Sequence, residues 1–336
     1  MQNTGFAPRL CNQICESGAW HAPPRHMSRS PPSASVPARH GVPASCVSLP
    51  AVKAPLWTNL LDFLHHRMPS VTRADWALRL AQGQVLAESG QPLPPDAPYV
   101  GGTRVYYYRD VPDEAPIPFQ EHVLFQDEHL VVADKPHFLP VTPGGRYVRQ
   151  TLLVRLQQRL GLPQLAPLHR IDRETAGLVL FAVQPGERGA YHALFSRRTM
   201  EKTYAAIAPH RPDMNFPITR RSRIEEDPEH FFRMVETAGE PNSETRIEQT
   251  EVRGAWARYT LSPVTGKRHQ LRVHMNALGA PIAGDQLYPL VLRGPDDAED
   301  FAEPLLLLAR AMAFTDPVTG AERRFESRQS IAWPEA

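Results

Sequence analysis

Apolar residues recur along this chain with two different periods, and the places where the period changes mark its organisation. Leu60, Leu61, Phe63, Leu64 and Met68 follow helical spacing, and Pro69 stops the run. Thr72 is placed to cap a second helix holding Trp76, Leu78 and Leu80, which ends near Gly83. Short strand-like pieces follow at Val85–Ala87 and Arg104–Tyr108, joined through a Pro/Gly-rich turn. From about Phe119 the texture changes. Val123 to Asp134 predicts two apolar strands around Gln126–His129, a hairpin by composition. Thr151–Leu160 predicts an amphipathic helix, with Leu152, Leu153, Leu156 and Leu160 on one stripe. Leu178–Val183, Thr203–Ala208 and Ala255–Leu261 read as strands, and Gly189–Arg197 as a helix. His269–Leu278 reads as a helix closed by Gly279. The two element types mix without regular alternation, which predicts an α+β fold with a mixed sheet rather than a doubly wound one.

Three segments follow from this pattern. Residues 1–54 are rich in Pro and Ser, lack periodicity and are expected to be a disordered tail. Residues 55–112 form a small α/β domain, and 119–336 a larger one. The tail contains Arg and Ser and few acids, which fits either a mitochondrial transit peptide or a plain extension with initiation at Met27 or later. All three cysteines, Cys11, Cys15 and Cys46, lie in it. The odd count argues against a disulfide scaffold and points to a reducing compartment, the cytoplasm. No apolar run is long enough to span a bilayer; the longest, Pro304 to Ala313, is cut by Arg310. The net charge of +1 announces no polyanionic partner. The basic residues are clustered nonetheless, at Arg220, Arg221 and Arg223 and at Lys267, Arg268 and Arg272. Local patches of this kind can steer a polyanion.

One stretch concentrates chemistry: His169-Arg170-Ile171-Asp172-Arg173-Glu174-Thr175-Ala176-Gly177, just ahead of an apolar strand. Positive neighbours favour the ionised form of Asp172, which suits a nucleophile or a base. A surface Asp beside Arg is also an ordinary ion pair of small energetic value, so the residues alone leave both readings open. A second segment, Thr265 to His274, puts His269, Arg272 and Asn276 on a polar helix face and Gly266–Arg268 at the helix start. Free N–H groups there favour an anion such as phosphate. The plain reading of that segment is a solvated helix with a basic end. A third, Met200 to Ala206, holds Tyr204 in a strand-like run. Its ring suits a core position or stacking on a base.

These pieces, with Asp127 to Pro136, Gly279 to Tyr288 and Leu305 to Pro317, occur in the order found in the RluA-type pseudouridine synthases, which this chain resembles over 119–328. Ile171, Ala176 and Lys267 replace that family's usual Leu, Ser and Arg. The small domain resembles the RNA-binding fold of a ribosomal small-subunit protein, through Phe63-Leu64, Pro69, Thr72-Arg73, Gly83-Gln84-Val85 and Gly101–Val105, although Arg73 and Arg79 give its second helix few charges. A packing appendage is the alternative for that piece. The resemblance implies an isomerase that converts specific uridines in rRNA or tRNA to pseudouridine. Asp172 would be the catalytic aspartate, Tyr204 would pack on the target base, and Arg272 would pair with Asp172. Arg170 would enter the space left by the flipped nucleotide, and Lys267, Arg268, His269 and Arg73 would bind RNA. It implies no cofactor and no metal, and the expected state is a monomer. In agreement, the chain has neither a Gly-x-Gly-x-x-Gly fingerprint nor a Gly-x-x-x-x-Gly-Lys loop. His269 and His274 are five apart, wrong for paired helical ligands, and His122 and His129 read as surface residues flanking a hairpin. An RNA-binding protein without isomerase activity is the competing reading.

Overall fold

The computed structural model describes residues 36, 44–52, 56–69, 71–108, 114, 116–294 and 297–334. Cys11, Cys15, Met27 and most of the expected tail lie outside them. Two compact units result, the first running from Ser45 to Tyr107 and the second from Tyr108 onward.

In the first unit, β1 (Ser45–Ser48) pairs with β3 (Arg104–Tyr107), which also pairs with β2 (Val85–Ala87), all antiparallel. Helices α1 (Leu60–Arg67) and α2 (Arg73–Ala81) pack Leu60, Phe63, Leu64, Trp76 and Leu80 with Val85 and Val105. Thr72 caps α2 as the pattern predicts, its Oγ1 accepting the Asp75 N–H at 3.1 Å. The boundary at 54/55 is corrected: Ser45–Ser48 is a strand. Its run, Ser-Cys-Val-Ser, is too short and too polar to show a period, and it is held by pairing with β3 across a long sequence separation.

The second unit is built on one large sheet. Its strands are β4 (His122–Gln126), β5 (Leu130–Lys135), β6 (Ala166–Pro167), β7 (Ala176–Ala182), β8 (Glu201–Pro209), β9 (Ile218–Glu226), β10 (Met234–Thr237), β11 (Ser243–Arg253), β12 (Trp256–Pro263), β13 (Leu307–Thr315) and β14 (Glu322–Glu326). The order is β10-β9-β11-β12-β8-β13-β7-β5-β4, with β14 on β13 and β6 on β7. All pairs are antiparallel except β13 with β7. The sheet is therefore mixed and mainly antiparallel, with α3 (Leu152–Leu160), α4 (Arg188–Ser196) and α5 (Gln270–Ala277) packed on it. This is the α+β class that the irregular order of elements predicts.

Strand β7 is buried at every position. That is why it reads as a continuous apolar run, where half-buried strands alternate. Strands β9 and β11 escape the pattern, because their inner positions include Ser222, Ser243 and Thr245 rather than aliphatics. Those hydroxyls meet His274 of α5: Nε2 lies 3.1 Å from Ser222 Oγ and 3.0 Å from Ser243 Oγ, and Nδ1 lies 2.9 Å from Thr245 Oγ1. A polar seam replaces part of the hydrophobic one and ties the helix to the sheet.

The plain reading of 269–278, a solvated helix with a basic end, does not hold. In α5, Gln270 through Met275 are all buried, so both its apolar and its polar faces point inward.

Candidate active site

The loop from His169 to Thr175 delivers Asp172 to the protein surface, and its position is set from both ends. Upstream, β6 runs antiparallel to β7, and the Leu168 N–H bonds Leu180 O at 2.9 Å. The His169 imidazole continues this grip, its Nε2 accepting the Leu180 N–H at 3.1 Å while its ring packs on Phe195. Burial, with Lys202 and His192 nearby, pushes this imidazole down to about 3, so it is neutral and free to accept. Downstream, Gly177 lies opposite Ala309 in the one parallel pairing. Its φ is +109°, and a Cβ there would sit 2.3 Å from Ala309 O. Only glycine allows β13 that close. From below, Lys135 Nζ donates to Pro136 O at 3.0 Å and to Arg173 O at 2.9 Å, and His137 Nδ1 lies 2.7 Å from Glu174 O. The loop is thus held at its start by Leu168 and His169, beneath Arg173 and Glu174 by Lys135 and His137, and at its end by Gly177.

The two arginines that flank Asp172 in sequence do different things. Arg173 turns away from it, bonding Glu174, Tyr147 Oη at 3.0 Å and Glu299 at 2.7 Å. Arg170 is exposed and makes no hydrogen bond among the described residues. The contact to Asp172 comes from Arg272, whose Nη1 lies 3.4 Å from Asp172 Oδ2. Arg272 is 1% exposed, and its main partner is Asp285. Nε donates to Asp285 Oδ2 at 2.8 Å and Nη2 to Oδ1 at 2.6 Å, a two-bond fork. The carboxylate is fixed in turn by the N–H groups of Leu287 and Tyr288 at 2.9 and 3.1 Å. The Arg272 guanidinium also lies over the Tyr288 ring. Gly284 precedes Asp285 with φ +77°, and a Cβ on it would meet Pro304 O at 2.1 Å.

Asp285 is the residue that sequence reasoning missed. The Gly284-Asp285 pair was visible, but its role follows only from the burial of Arg272. A guanidinium sealed from water needs a strong partner of its own.

Burial works against an ionised Asp172. The charges of His269 when protonated, of Arg272 and of Arg170, with the Arg272 contact, outweigh it and hold the carboxyl below its ordinary value. His269 is itself neutral near pH 7, because burial pushes it down to about 4. It sits at the start of α5 with left-handed φ of 55°, its Nδ1 3.0 Å from Tyr288 Oη. Tyr288 Oη also accepts the Met234 N–H and lies 2.9 Å from Met234 O, so the imidazole is tied to β10 through this hydroxyl. Burial, then Asp172, raises the Tyr204 hydroxyl above its ordinary value, so it stays protonated.

Two cavities meet at Asp172. A cleft of about 100 Å³ has Asp172, Tyr204, Lys202, Lys267 and Arg272 in its wall. A wider one of about 450 Å³ extends past Arg170 and Arg272 to Tyr147, Phe232, Arg268 and Leu287. Arg170, Asp172, His269 and Arg272 belong to both walls. The structure therefore gathers Asp172, Tyr204, Arg272, Arg170, Lys267, Arg268 and His269 in one place. Arg73 belongs to the other unit, exposed and paired with Asp62 at 3.0 Å.

Some expected roles change. The anion site at Gly266–Arg268 is partly filled, because Gln270 Oε1 accepts the Lys267 N–H at 3.0 Å and Lys267 O accepts the Gln270 N–H. Arg268 is engaged with the carbonyls of Phe231 and Phe232. Arg220, Arg221 and Arg223 are each paired with a carboxylate, Glu236, Glu244 and Glu225. His129 is no free surface residue, since its Nδ1 lies 2.9 Å from Glu187. Among the described residues no group of His, Cys, Asp and Glu is arranged to hold a metal ion, and no helix is long and apolar enough to cross a membrane.

A family model described as RNA pseudouridylate synthase matches residues 129–277, the span that carries the loop, β8 and α5. An uncharacterized RNA pseudouridine synthase of Synechocystis is 31% identical over 235 residues, 68% of this chain and 79% of that protein. This chain belongs to the RluA-type RNA pseudouridine synthases. The dual-specificity RNA pseudouridine synthase RluA of Escherichia coli is 32% identical over 209 residues, 61% of this chain and 91% of that one. The fold agrees: human RNA pseudouridylate synthase domain containing 1 superposes with a TM-score of 0.50 at 20% identity, covering 64% of this chain and 91% of the other. As a pseudouridine synthase the chain is an isomerase acting on RNA.

Proposed function

We propose that this synthase isomerises specific uridines in rRNA or tRNA, in the cytoplasm and as a monomer, with Asp172 as the catalytic group. The observation that carries the reading is the convergence of Asp172, Tyr204 and Arg272 on one cleft of about 100 Å³.

The chemistry breaks the bond from C1′ to N1 and forms one from C1′ to C5, after which the C5 proton moves to N1. No electron or outside group is consumed. Asp172 acts ionised, poised by Arg272, on the sugar or the base. Arg272 cannot drift toward the substrate, because the Asp285 fork fixes it. It stabilises negative charge on Asp172 without a proton to lose. Tyr204 packs its ring on the uracil and keeps its hydroxyl proton available. The target base must leave its stack, at a cost of a few kcal/mol. Arg170, exposed and unbonded at the mouth, fills the vacated space and offsets part of that cost. Lys267, Arg268, His269 and Arg73 contribute RNA contacts.

Unmodified rRNA and tRNA transcripts incubated with the protein and mapped for pseudouridine test this. Discrete modified uridines are expected in one class, and an RNA that is bound but never modified contradicts it.

A further inference from the structure

Lys202 lies in the same motif as Tyr204, but it is the one basic side chain of the cleft with no role assigned above. It lies on β8 two residues before Tyr204, so both side chains leave the same face of the strand and both line the cleft. It is half-buried and has no hydrogen bond or ion pair among the described residues. Burial pulls its ammonium below the ordinary lysine value, and no carboxylate acts to raise it. Its charge adds to the burial that holds His169 neutral.

The rest of the wall deepens the imbalance. Arg170, Lys202, Lys267 and Arg272 are four cations around Asp172, and Arg272 alone is matched by buried carboxylate. Lys267 is exposed and also has no side-chain partner. A half-buried ammonium without a counter-ion is unfavourable. Lys202 lines the same cleft as Asp172 and Tyr204, and the group that would pair with it there is an anion.

We propose that Lys202 binds a phosphate of the target nucleotide, with Lys267 as the second cation at the same anion. This rests on the isomerase reading of the cleft and deepens it: the enzyme grips the flipped nucleotide by its backbone as well as by its base. Lys202 is a binding residue, and the bond-making step passes through Asp172.

Binding of uridine, of uridine 3′,5′-bisphosphate and of inorganic phosphate is measured on the full chain by NMR titration. The wild type should prefer the bisphosphate over uridine by about tenfold or more, the usual worth of a charged hydrogen bond. Lys202→Met should cut that preference several-fold with uridine affinity unchanged, and Lys202→Arg should keep most of it. Equal affinities in the wild type overturn the proposal. So does a preference undiminished by Lys202→Met, or inorganic phosphate binding as well as the bisphosphate, which would mark a free-anion site. The measurement needs no turnover, so its failure is separate from failure to make pseudouridine.

Discussion

Asp285 clasps Arg272 through two short hydrogen bonds, 2.8 and 2.6 Å, while Arg272 reaches Asp172 through one contact of 3.4 Å. The arginine is therefore positioned by the carboxylate that faces away from substrate and acts on the one that faces it. Asp285→Asn breaks the pairing without removing volume. It should destabilise the fold by about 3–5 kcal/mol, the usual result of leaving a buried charge without its partner. Denaturant unfolding of the variant checks this, and a stability change under about 1 kcal/mol would show the fork to be dispensable.

The two arginines beside Asp172 should separate cleanly. Arg173 ties three groups together, so Arg173→Ala should cost about 1–3 kcal/mol of stability. Arg170→Ala should change stability by no more than about 0.5 kcal/mol. It should instead slow modification of structured RNA while sparing an already unstacked target. Thermal melts and rate assays on folded and single-stranded substrates distinguish the pair.

Gly177→Ala should be among the most damaging small substitutions in the chain. Its Cβ meets Ala309 backbone, which cannot yield without opening the β7–β13 pairing, and its φ is one that alanine resists. A loss above about 3 kcal/mol, or failure to accumulate as folded protein, is expected.

Lys135 gives the stability a distinctive pH dependence. Burial pushes its amine down to about 7, against partial support from Glu174 and Asp172. A neutral amine keeps two N–H donors, matching its two carbonyl partners. Above about pH 7 the folded chain has lost this proton while the unfolded chain keeps it up to about 10.4. The unfolded state then binds more protons, so stability rises with pH across that window. Lys135→Met should flatten the rise in a difference plot of unfolding free energy. Asp172 has the opposite origin: its carboxyl lies below the usual range, so it is charged across neutral pH. Its contribution fades only as pH falls through the acid range.

How much of this could be read from the chain depends on where the constraint lies. Asp172, Tyr204 and Arg272 were legible because each sits in an ordered motif, and the geometry brings all three to one cleft. Asp285 was not, since nothing local reveals that Arg272 is sealed from water. Strands β9 and β11 were hidden by hydroxyl residues at inner positions, which pair with His274 rather than with aliphatic neighbours. The Arg220–Arg223 cluster looked available in sequence, but cross-strand carboxylates that only the fold brings near occupy it, Glu236 and Glu244 among them. The anion site at the start of α5 is partly taken for a similar reason, as Gln270 folds back to accept the Lys267 N–H.

The most direct measurement compares wild type and Asp172→Asn on unmodified rRNA and tRNA transcripts, scoring pseudouridine formation and RNA affinity together. The exchange keeps shape and removes only the charge that Arg272 holds. Pseudouridine formation should fall by at least about 10³-fold with RNA affinity nearly unchanged and the chain still folded. Turnover by Asp172→Asn within tenfold of wild type would contradict the catalytic role assigned to this carboxylate.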